Sequence, residues 1–511
     1  MYRNLVNFAS LMEGLKSFEP GFDFLAKTFA GLEKVLVTEL EQLGAKDVEI
    51  IKRGATFKGD EELMYKVNYC CRTAIRVLKP IGVFKAKSND ELYQKVRKID
   101  WTNIFNVDQT FIVNTNVFYS EVDHSHFAAL RVKDAIVDQF REKVGKRPWV
   151  AKDIPNIYID VHIAHDICTI SLDSSGESLH KRDYKIAVDK APINEVLAAG
   201  MIKISGWDGN EDLIDPMCGS GTIPMEAAMI AQKIPAGYYR NTYAFMSWSS
   251  FNQKLWEKVK SDANELIDET ECNIYASDRS ETAVNITKRN LKNAGLHKDV
   301  ITSHKYFDDV IPEAKSGILI FNPPYGKRME ERGELKDLYR GIGDVLKKNF
   351  IGFKAWIITP NIEAAKFVGL RHSEKHSLYN GPIETSYLKY EMYEGTKKDK
   401  GNFGDRKREG GFDNKRSSGF GGGKREGGFG ERKREGGFGG RKREGGFSER
   451  KREGGYGDRN KDSDFRKKRF SSDDPKSDSK PEFGRKRFSD RLDKDNSIER
   501  KPRRPRKPRE E

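Results

Sequence analysis

The sequence predicts an α+β region, then a doubly wound α/β domain with a mostly parallel sheet, then a disordered basic tail. Strand and helix patterns alternate from residue 212 onward, which is typical of a parallel sheet with helices on both faces. Apolar and polar residues alternate over 157–163 and 168–172, which predicts a hairpin closing the α+β region. The last 116 residues contain one Leu, one Ile and no Val, Ala, Met, Cys or Trp, too little apolar surface to fold.

The excess positive charge is confined to the tail. Residues 1–395 contain 53 Lys+Arg and 55 Asp+Glu, a net charge of −2, whereas residues 396–511 contain 39 and 23, a net charge of +16. Five irregularly spaced cysteines indicate neither a disulfide framework nor a zinc site. The sequence shows no secretory leader pattern and no apolar stretch near the roughly 18–20 residues of a membrane span. We therefore expect a cytoplasmic protein that binds neither a metal ion nor a membrane.

Apolar periodicity gives the elements of the α+β region. The predicted strands are 24–26, 81–84 and 111–118, and the predicted helices are 32–43, 66–78 and 132–144. Residues 1–21 form a weakly amphipathic extension to which we assign no function.

The same reasoning gives the elements of the doubly wound domain. The predicted strands are 212–214, 272–276, 316–321 and 354–359, and the predicted helices are 223–232, 281–294 and 335–349. In such sheets the ligand crevice lies at the carboxyl ends of the strands. Three segments that contain candidate binding or catalytic residues follow those ends.

The first segment is 215–222, with the sequence Asp-Pro-Met-Cys-Gly-Ser-Gly-Thr. Gly219 and Gly221, with Ser220 between them, allow a sharp turn and a close approach of the backbone to a ligand. The helix that follows favours a negative group such as a carboxylate at its start. The segment lacks the Gly-Lys-Ser/Thr ending of a phosphate-binding loop, and a glycine turn also serves merely to join a strand to a helix.

The other two segments are Asp278, which follows the second predicted strand, and Asn322-Pro323-Pro324-Tyr325, which follows the third. A carboxylate at a strand end can accept hydrogen bonds from both hydroxyls of a ribose, although an isolated aspartate there also fits a helix cap. Two prolines fix the backbone and so orient a side-chain amide, a free carbonyl and an aromatic ring. Taken alone, this last segment also fits a rigid turn.

In this order, the three segments resemble the class I S-adenosylmethionine-dependent methyltransferases that act on exocyclic amino groups. Upstream, residues 24–33, 132–138 and 174–184 resemble the THUMP-bearing RNA methyltransferases of the RlmL type, and the similarity extends to residues 380–383. One departure is Asp183, where the family usually has glycine. The resemblance implies a Rossmann-like catalytic domain, preceded by a ferredoxin-like segment and a THUMP domain that present RNA to it.

The resemblance also implies domain limits and site residues. The implied parts are an extension (1–21), a ferredoxin-like segment (22–65), a THUMP domain (66–173), a linker (174–190), the methyltransferase domain (191–395) and the tail (396–511). The implied cofactor contacts are Asp215, Gly219, Ser220, Gly221, Asp278 and Asp308, and the implied catalytic residues are Asn322, Pro323, Pro324 and Tyr325. Asp309 is the alternative to Asp308 beside the adenine. No metal ligand is implied.

The implied reaction is methylation of the exocyclic N2 amine of a guanine in 23S ribosomal RNA. The tail repeats Lys-Arg-Glu-Gly-Gly-Phe/Tyr from Lys407, Lys424, Lys433, Lys442 and Lys451, and resembles arms that bind single-stranded RNA nonspecifically. The tail occupies the position of the second methyltransferase half of RlmL. We therefore expect this chain to methylate only the guanine N2 amine. The alternatives are a transfer-RNA guanine as the target, a non-catalytic ribosome-assembly factor that binds RNA and, less favoured, methylation of adenine in DNA.

Overall fold

A computed structural model describes residues 22–122, 124–188, 192–268, 273–324 and 332–393. These residues belong to one compact unit of the chain. The predictions made for residues 1–21, for Tyr325 and for the tail lie outside the described residues. No helix among the described residues is long and apolar enough to cross a membrane.

The N-terminal part forms one eight-stranded sheet with the strand order β2-β3-β1-β4-β8-β7-β5-β6. Its strands are β1 (Phe24–Lys27), β2 (Lys46–Ile51), β3 (Gly54–Lys58), β4 (Arg76–Lys85), β5 (Thr110–Phe118), β6 (Trp149–Val150), β7 (Ile157–Ala164) and β8 (Ile167–Asp173). Its helices are α1 (Glu33–Gln42), α2 (Glu61–Cys70), α3 (Asn89–Val96), α4 (Trp101–Ile104) and α5 (Ser125–Val144). The predicted hairpin of β7 and β8 is confirmed.

The predicted helix over 66–78 is wrong in its position. Helix α2 begins earlier because the Asp60 side chain accepts a hydrogen bond from Leu63 N at 2.9 Å and caps it. The end of the predicted helix belongs to β4, where Val77 pairs with Ala26 of β1. Pairing with a strand about 50 residues away overrides the local pattern here.

Further elements of this part differ from the predictions, and helices α3 and α4 and strand β6 were not predicted. The hairpin of β2 and β3 was missed because β2 lies at the edge of the sheet, where its mostly exposed residues lack an apolar alternation. Helix α5 begins at Ser125 rather than at 132. The apolar pattern does not reveal its first turns because the apolar side chains there, Phe127 and Leu130, are exposed and do not mark a buried face.

The C-terminal part is a seven-stranded sheet with the strand order β11-β10-β9-β12-β13-β15-β14. Its strands are β9 (Asp212–Asp215), β10 (Ile274–Asp278), β11 (Val300–His304), β12 (Gly317–Phe321), β13 (Lys354–Thr359), β14 (Glu374–Asn380) and β15 (Ile383–Glu391). Its helices are α6 (Glu195–Ser205), α7 (Thr222–Ala231), α8 (Gln253–Glu265), α9 (Glu281–Asn293), α10 (Arg332–Asn349) and α11 (Ile362–Ala365). The pairings among β9–β13 are parallel, whereas β15 is antiparallel to both of its neighbours.

Both faces of this sheet are buried, as the doubly wound prediction requires. Along β12, Ile318 and Ile320 belong to one apolar cluster, and Leu319 and Phe321 belong to the cluster on the opposite face. Strand β9 is central, and the strand order reverses on its two sides. The ligand crevice of a doubly wound sheet lies at such a reversal.

Buried arginines join the two parts of the chain. Arg240 donates hydrogen bonds to the backbone carbonyls of Ser175 at 2.8 Å and Ser178 at 3.0 Å, within the predicted linker. Arg182 donates to the carbonyl of Arg72 at 2.6 Å, and Arg72 in turn donates to a carbonyl after helix α7. Because these guanidinium groups are buried and bonded to backbone, they fix the N-terminal sheet against the doubly wound domain.

Asp183, the departure from the family pattern, lies next to this joint. Its φ of 67° is in the left-handed region, which glycine adopts freely and which aspartate tolerates better than most residues. The chain therefore keeps at this position the backbone conformation for which glycine is suited.

Candidate cofactor and catalytic site

The three predicted segments meet at one edge of the doubly wound sheet. Strand β9 lies between β10 and β12, with Asp215 opposite Ala276 and Ile214 opposite Leu319. All three strands are parallel, so the residues that end or follow them face the same crevice. The structure thus brings together Asp215, Asp278 and Asn322, as the strand-end positions predicted.

Asp215 is a buried carboxyl group with few partners. Only 1% of the residue is exposed, and Oδ1 accepts one hydrogen bond, from Met217 N at 3.2 Å. Burial raises the pKa of Asp215 well above its usual value, and the charge of Asp278 raises it further. Among the described residues, no Lys, Arg or His side chain forms an ion pair with Asp215. A cationic ligand group would therefore favour its ionised form.

The two glycines of the first segment serve different purposes. Gly219 and Gly221 have φ values of 55° and 83°, in the left-handed region that side chains disfavour. A Cβ atom at Gly221 would lie 2.7 Å from Thr287 Cγ2, so this position also needs glycine for close packing against α9. A Cβ atom at Gly219 would meet nothing within 4 Å, which leaves open space beside the backbone for a ligand.

Asp278 holds this glycine loop in place. Its Oδ2 accepts a hydrogen bond from Gly219 N at 3.0 Å, and its Oδ1 accepts one from Ser280 N at 2.9 Å. A hydrogen bond between backbone atoms also joins the loop to β10, from Cys218 N to the carbonyl of Ser277 at 2.9 Å. Because each carboxylate oxygen has two lone pairs, both oxygens of Asp278 keep an acceptor site for ligand hydroxyls.

Ser220 is held by a residue that the sequence analysis missed, Asn290 of helix α9. The Asn290 side chain donates to the carbonyls of Ser220 at 3.1 Å and Ala187 at 2.8 Å, and it accepts hydrogen bonds from the amides of Ile186 and Ala187. It thereby ties the loop before the domain to the glycine loop. The available signal was an asparagine on the buried face of an amphipathic helix, where a polar side chain needs partners.

Asn322 carries an acceptor without a partner among the described residues, directly after the end of β12. Its Oδ1 atom is buried and has no hydrogen-bond partner among the described residues. Leaving a buried acceptor unpaired costs about 1–3 kcal/mol, so such an atom suits a ligand donor. Pro323 is buried and Pro324 is half-buried, whereas Tyr325 lies outside the described residues.

Asp308 lies in the short turn Phe307–Asp309 that follows β11. Strand β11 flanks β10 on the side away from β9. Phe307 is buried against Phe321, which fixes the turn, while the side chains of Asp308 and Asp309 are both exposed. The turn leaves both aspartates available to a ligand.

Cys218 is inert in this setting. Burial raises the pKa of its thiol well above the usual value, and its Sγ lies 3.8 Å from Thr287 Oγ1. The thiol is therefore neutral at physiological pH and is not a nucleophile. Within the described part of the chain, no group of three or more His, Cys, Asp and Glu residues is placed to hold a metal ion.

The strand order, the glycine loop after the central strand and the acidic end of its neighbour define a Rossmann-like methyltransferase. Family models match three successive parts of the chain: the RlmL ferredoxin-like domain at residues 23–78, the THUMP domain at 86–173 and the RMKL-like methyltransferase domain at 182–389. The chain belongs to the THUMP-bearing RNA methyltransferases of the RlmL type. It is an S-adenosylmethionine-dependent RNA methyltransferase.

Known proteins are similar to this chain over most of its folded part. A Synechocystis protein named "putative RNA methyltransferase" is 37% identical over 371 residues, which cover 72% of this chain and 97% of the relative. The solved structure of SMU.472, "a putative methyltransferase complexed with SAH", has 28% identity and a TM-score of 0.67, and covers 75% of this chain and 100% of its own. A Listeria monocytogenes protein called a "predicted N6-adenine-specific DNA methylase" has 29% identity and a TM-score of 0.66. The match covers 74% of this chain and 97% of the Listeria chain.

Proposed function

We propose that this protein transfers the methyl group of S-adenosylmethionine to the exocyclic N2 amine of a guanine in 23S ribosomal RNA. The observation that carries the proposal is the buried Oδ1 of Asn322, which lacks a hydrogen-bond partner in the described part of the chain and lies at the strand end beside Asp215. An amide oxygen at this position can accept a hydrogen bond from an amine. Methylation of an amine needs such an acceptor to orient the amine.

The chain's own residues have to make a weak nucleophile react. The lone pair of a guanine N2 amine is delocalised into the ring, so the amine needs to be oriented. The Asn322 oxygen and the Pro323 carbonyl accept its two hydrogens and direct the lone pair outward, while Pro324 fixes their backbone. Tyr325 stacks on the flipped-out base. Positioning of this kind supplies most of the rate, so no general base is required.

The residues around the glycine loop fit the cofactor. S-adenosylmethionine, when bound, supplies a methyl group activated by the sulfonium charge. We assign its cationic methionine moiety to Asp215 and to the backbone of residues 219–221, where Gly219 leaves open space. The free acceptor sites of Asp278 receive the ribose hydroxyls, and Asp308 contacts the adenine.

The substrate assignment is supported by the front half of the chain. The RlmL ferredoxin-like and THUMP domains match residues 23–78 and 86–173, ahead of the catalytic domain. We propose large-subunit ribosomal RNA or its assembly intermediate as the substrate and the cytoplasm as the location. The basic tail adds a nonspecific RNA contact, because its net charge of +16 attracts phosphates.

Product identification tests this function. The purified protein is incubated with methyl-labelled S-adenosylmethionine and ribosomal RNA from a strain lacking it, and the RNA is digested to nucleosides. We expect labelled N2-methylguanosine in 23S RNA. Labelled N2-methylguanosine confined to transfer RNA would support the reaction and contradict 23S RNA as the substrate. Labelled N6-methyladenosine would contradict guanine as the methylated base. RNA binding without any label would contradict the enzymatic proposal.

Replacing Asp278 with alanine is expected to weaken cofactor binding. We expect the Kd for S-adenosylmethionine to rise about 10- to 100-fold, since hydrogen bonds to a charged group contribute about 1.5–3 kcal/mol. Calorimetry gives the Kd directly. Ser280→Ala is the matched control, because Ser280 caps α9 through Ala283 N without being assigned a cofactor contact. An unchanged Kd in Asp278→Ala would refute the ribose role.

Removing the positive charge of the tail is expected to weaken RNA binding and spare chemistry. Replacing the Lys-Arg pairs of the five repeats by glutamine should raise the KM for RNA and flatten its salt dependence, since each lost phosphate contact lowers the slope by about 0.7 for single strands. The kcat should change little. The control variant keeps the Lys-Arg pairs and replaces the Phe and Tyr of the repeats by serine, so that its net charge is unchanged. Identical KM and salt slope in the glutamine variant would exclude a substrate-binding tail.

A further inference from the structure

Two buried polar side chains of helix α9 hold the glycine loop, residues 215–222, from one side. Thr287 and Asn290 are three residues apart, so they lie on the same face of the helix. Thr287 Oγ1 donates a hydrogen bond to the carbonyl of Gly219 at 2.8 Å, and Asn290 Nδ2 donates one to the carbonyl of Ser220 at 3.1 Å. We call Thr287 and Asn290 the α9 pair.

The α9 pair is too deeply buried to touch a ligand in the crevice. The exposed fraction of each residue is 0%, and a Cβ atom at Gly221 would already lie 2.7 Å from Thr287 Cγ2. Asn290 also accepts hydrogen bonds from the amides of Ile186 and Ala187, which occupy its oxygen. A ligand in the crevice therefore contacts the loop and not the α9 pair.

One amide of the loop is left for a ligand. The amides of residues 217–219 and 221 all donate hydrogen bonds inside the protein. Within the described part of the chain, Ser220 N has no acceptor, although Ser220 is buried. A Cβ atom at the preceding Gly219 would meet nothing within 4 Å, so there is space beside this amide. Because a buried amide needs an acceptor, Ser220 N is the donor of this turn that a bound ligand can use.

The α9 pair sets the direction of that amide. In a trans peptide group the carbonyl oxygen and the next N–H point in opposite directions. Since the Gly219 carbonyl points at Thr287, the Ser220 N–H points away from α9. The following peptide group is held at both of its ends, by Asn290 at the Ser220 carbonyl and by the hydrogen bond from Gly221 N to the carbonyl of Cys218 at 2.8 Å. Neither peptide group can turn without breaking a hydrogen bond to the α9 pair.

We infer that Thr287 and Asn290 are positioning residues, which hold the Ser220 amide toward the carboxylate of the cofactor's methionine moiety. This carboxylate is the anionic group of S-adenosylmethionine, and a backbone N–H forms a strong, charge-assisted hydrogen bond with a carboxylate. A loop that is already ordered loses little conformational entropy when the ligand binds. The inference rests on the proposed function only in the assignment of the methionine moiety to this loop.

Binding of two nucleosides to the full-length chain tests the inference. S-adenosylhomocysteine carries the amino-acid carboxylate, whereas 5′-methylthioadenosine has the same adenosine part and no amino-acid part. Thr287→Val keeps a methyl group against Gly221 and removes the hydroxyl donor. Calorimetry should show the Kd of the variant for S-adenosylhomocysteine raised about 3- to 10-fold, the factor that one neutral hydrogen bond contributes. The Kd for 5′-methylthioadenosine should not change, and Thr287→Ser, which keeps the hydroxyl, should bind both ligands like wild type.

A second pair of variants separates the loop contact from the general packing of α9. Asn290→Ala removes the donor to Ser220 and should raise the Kd for S-adenosylhomocysteine about 10-fold or more, because several hydrogen bonds are lost at once. Asn293→Ala is the matched control. Asn293 lies on the same helix and donates to the carbonyl of Tyr184 at 2.9 Å, but it does not bond to the glycine loop. Asn293→Ala should bind S-adenosylhomocysteine like wild type.

Three results would overturn the inference. They are an unchanged Kd for S-adenosylhomocysteine in Thr287→Val, an equal rise of the Kd for 5′-methylthioadenosine, and an equal loss in Thr287→Ser or Asn293→Ala. Asp215→Asn distinguishes a failure of the proposed function. If Asp215→Asn also leaves the Kd for S-adenosylhomocysteine unchanged, the methionine moiety does not bind at this loop. If Asp215→Asn weakens binding and Thr287→Val does not, only the positioning role is wrong. No RNA is present, so these Kd values do not depend on which base the enzyme methylates.

Discussion

Replacing Asn322 with alanine is expected to lower the kcat of methyl transfer by about 10²–10³-fold, the range seen when one positioned hydrogen-bonding group is removed from an active site. The variant loses the acceptor that orients the amine, while the Asp215 and Asp278 contacts assigned to the cofactor are untouched. The Kd for S-adenosylmethionine should therefore stay within about twofold of wild type. Single-turnover methylation and calorimetry measure the two quantities separately.

Asn361 provides the matched control for this experiment. It follows β13 at the same edge of the sheet, but its side chain accepts a hydrogen bond from Ala364 N at 2.9 Å and caps α11. Asn361→Ala should lose roughly 1 kcal/mol of stability and keep its kcat. If Asn322→Ala turned over normally, or if both variants lost activity equally, the amine-orienting role would be wrong.

Replacing Asp215 with asparagine is expected to weaken cofactor binding and to stabilise the cofactor-free protein. The Kd for S-adenosylmethionine should rise by at least about 30-fold, because removing one partner of a buried charge pair costs about 2–5 kcal/mol. The thermal midpoint at neutral pH should rise, since a buried carboxylate without a cationic partner is replaced by a neutral amide. Each kcal/mol gained corresponds to about 2–4 °C in a domain of 150–250 residues.

The raised pKa of Asp215 fixes the sign of the pH dependence. Folding favours the protonated carboxyl, so the contribution of Asp215 to the stability of the cofactor-free protein is fully present below the ordinary aspartate pKa and is lost as the pH rises through the raised pKa. Cofactor affinity changes the opposite way, because the ionised carboxylate attracts the cation. The difference between wild type and Asp215→Asn, in stability and in cofactor affinity, should therefore change with pH in these two directions.

Asp212 is the control for this pair of trends. It begins the same strand, at the far end from the crevice, where it accepts a hydrogen bond from Asn273 Nδ2 at 2.9 Å. Asp212→Asn should leave cofactor affinity and its pH dependence as in wild type. A cofactor Kd that is independent of pH in the wild type would exclude Asp215 as the partner of the cationic moiety.

Local sequence patterns are enough to predict the class of the catalytic domain and the place of its crevice. Short apolar runs alternating with amphipathic helices specify a parallel sheet, and in such a sheet every strand end lies at one edge. The pattern therefore predicts that Asp215, Asp278 and Asn322 lie together. The compositional break near residue 395 separated the tail for an equally local reason, the shortage of apolar side chains.

The contacts between distant segments depend on how the whole chain packs. Asn290 holds Ser220 across 70 residues, and Arg240 holds the predicted linker across about 60. The contact between Tyr119 and His165 likewise depends on the pairing of β5 with β7. Periodicity reports which face of an element is apolar, but a buried polar side chain finds its partners only when the chain has packed. These residues therefore carried no local signal of what they would bind.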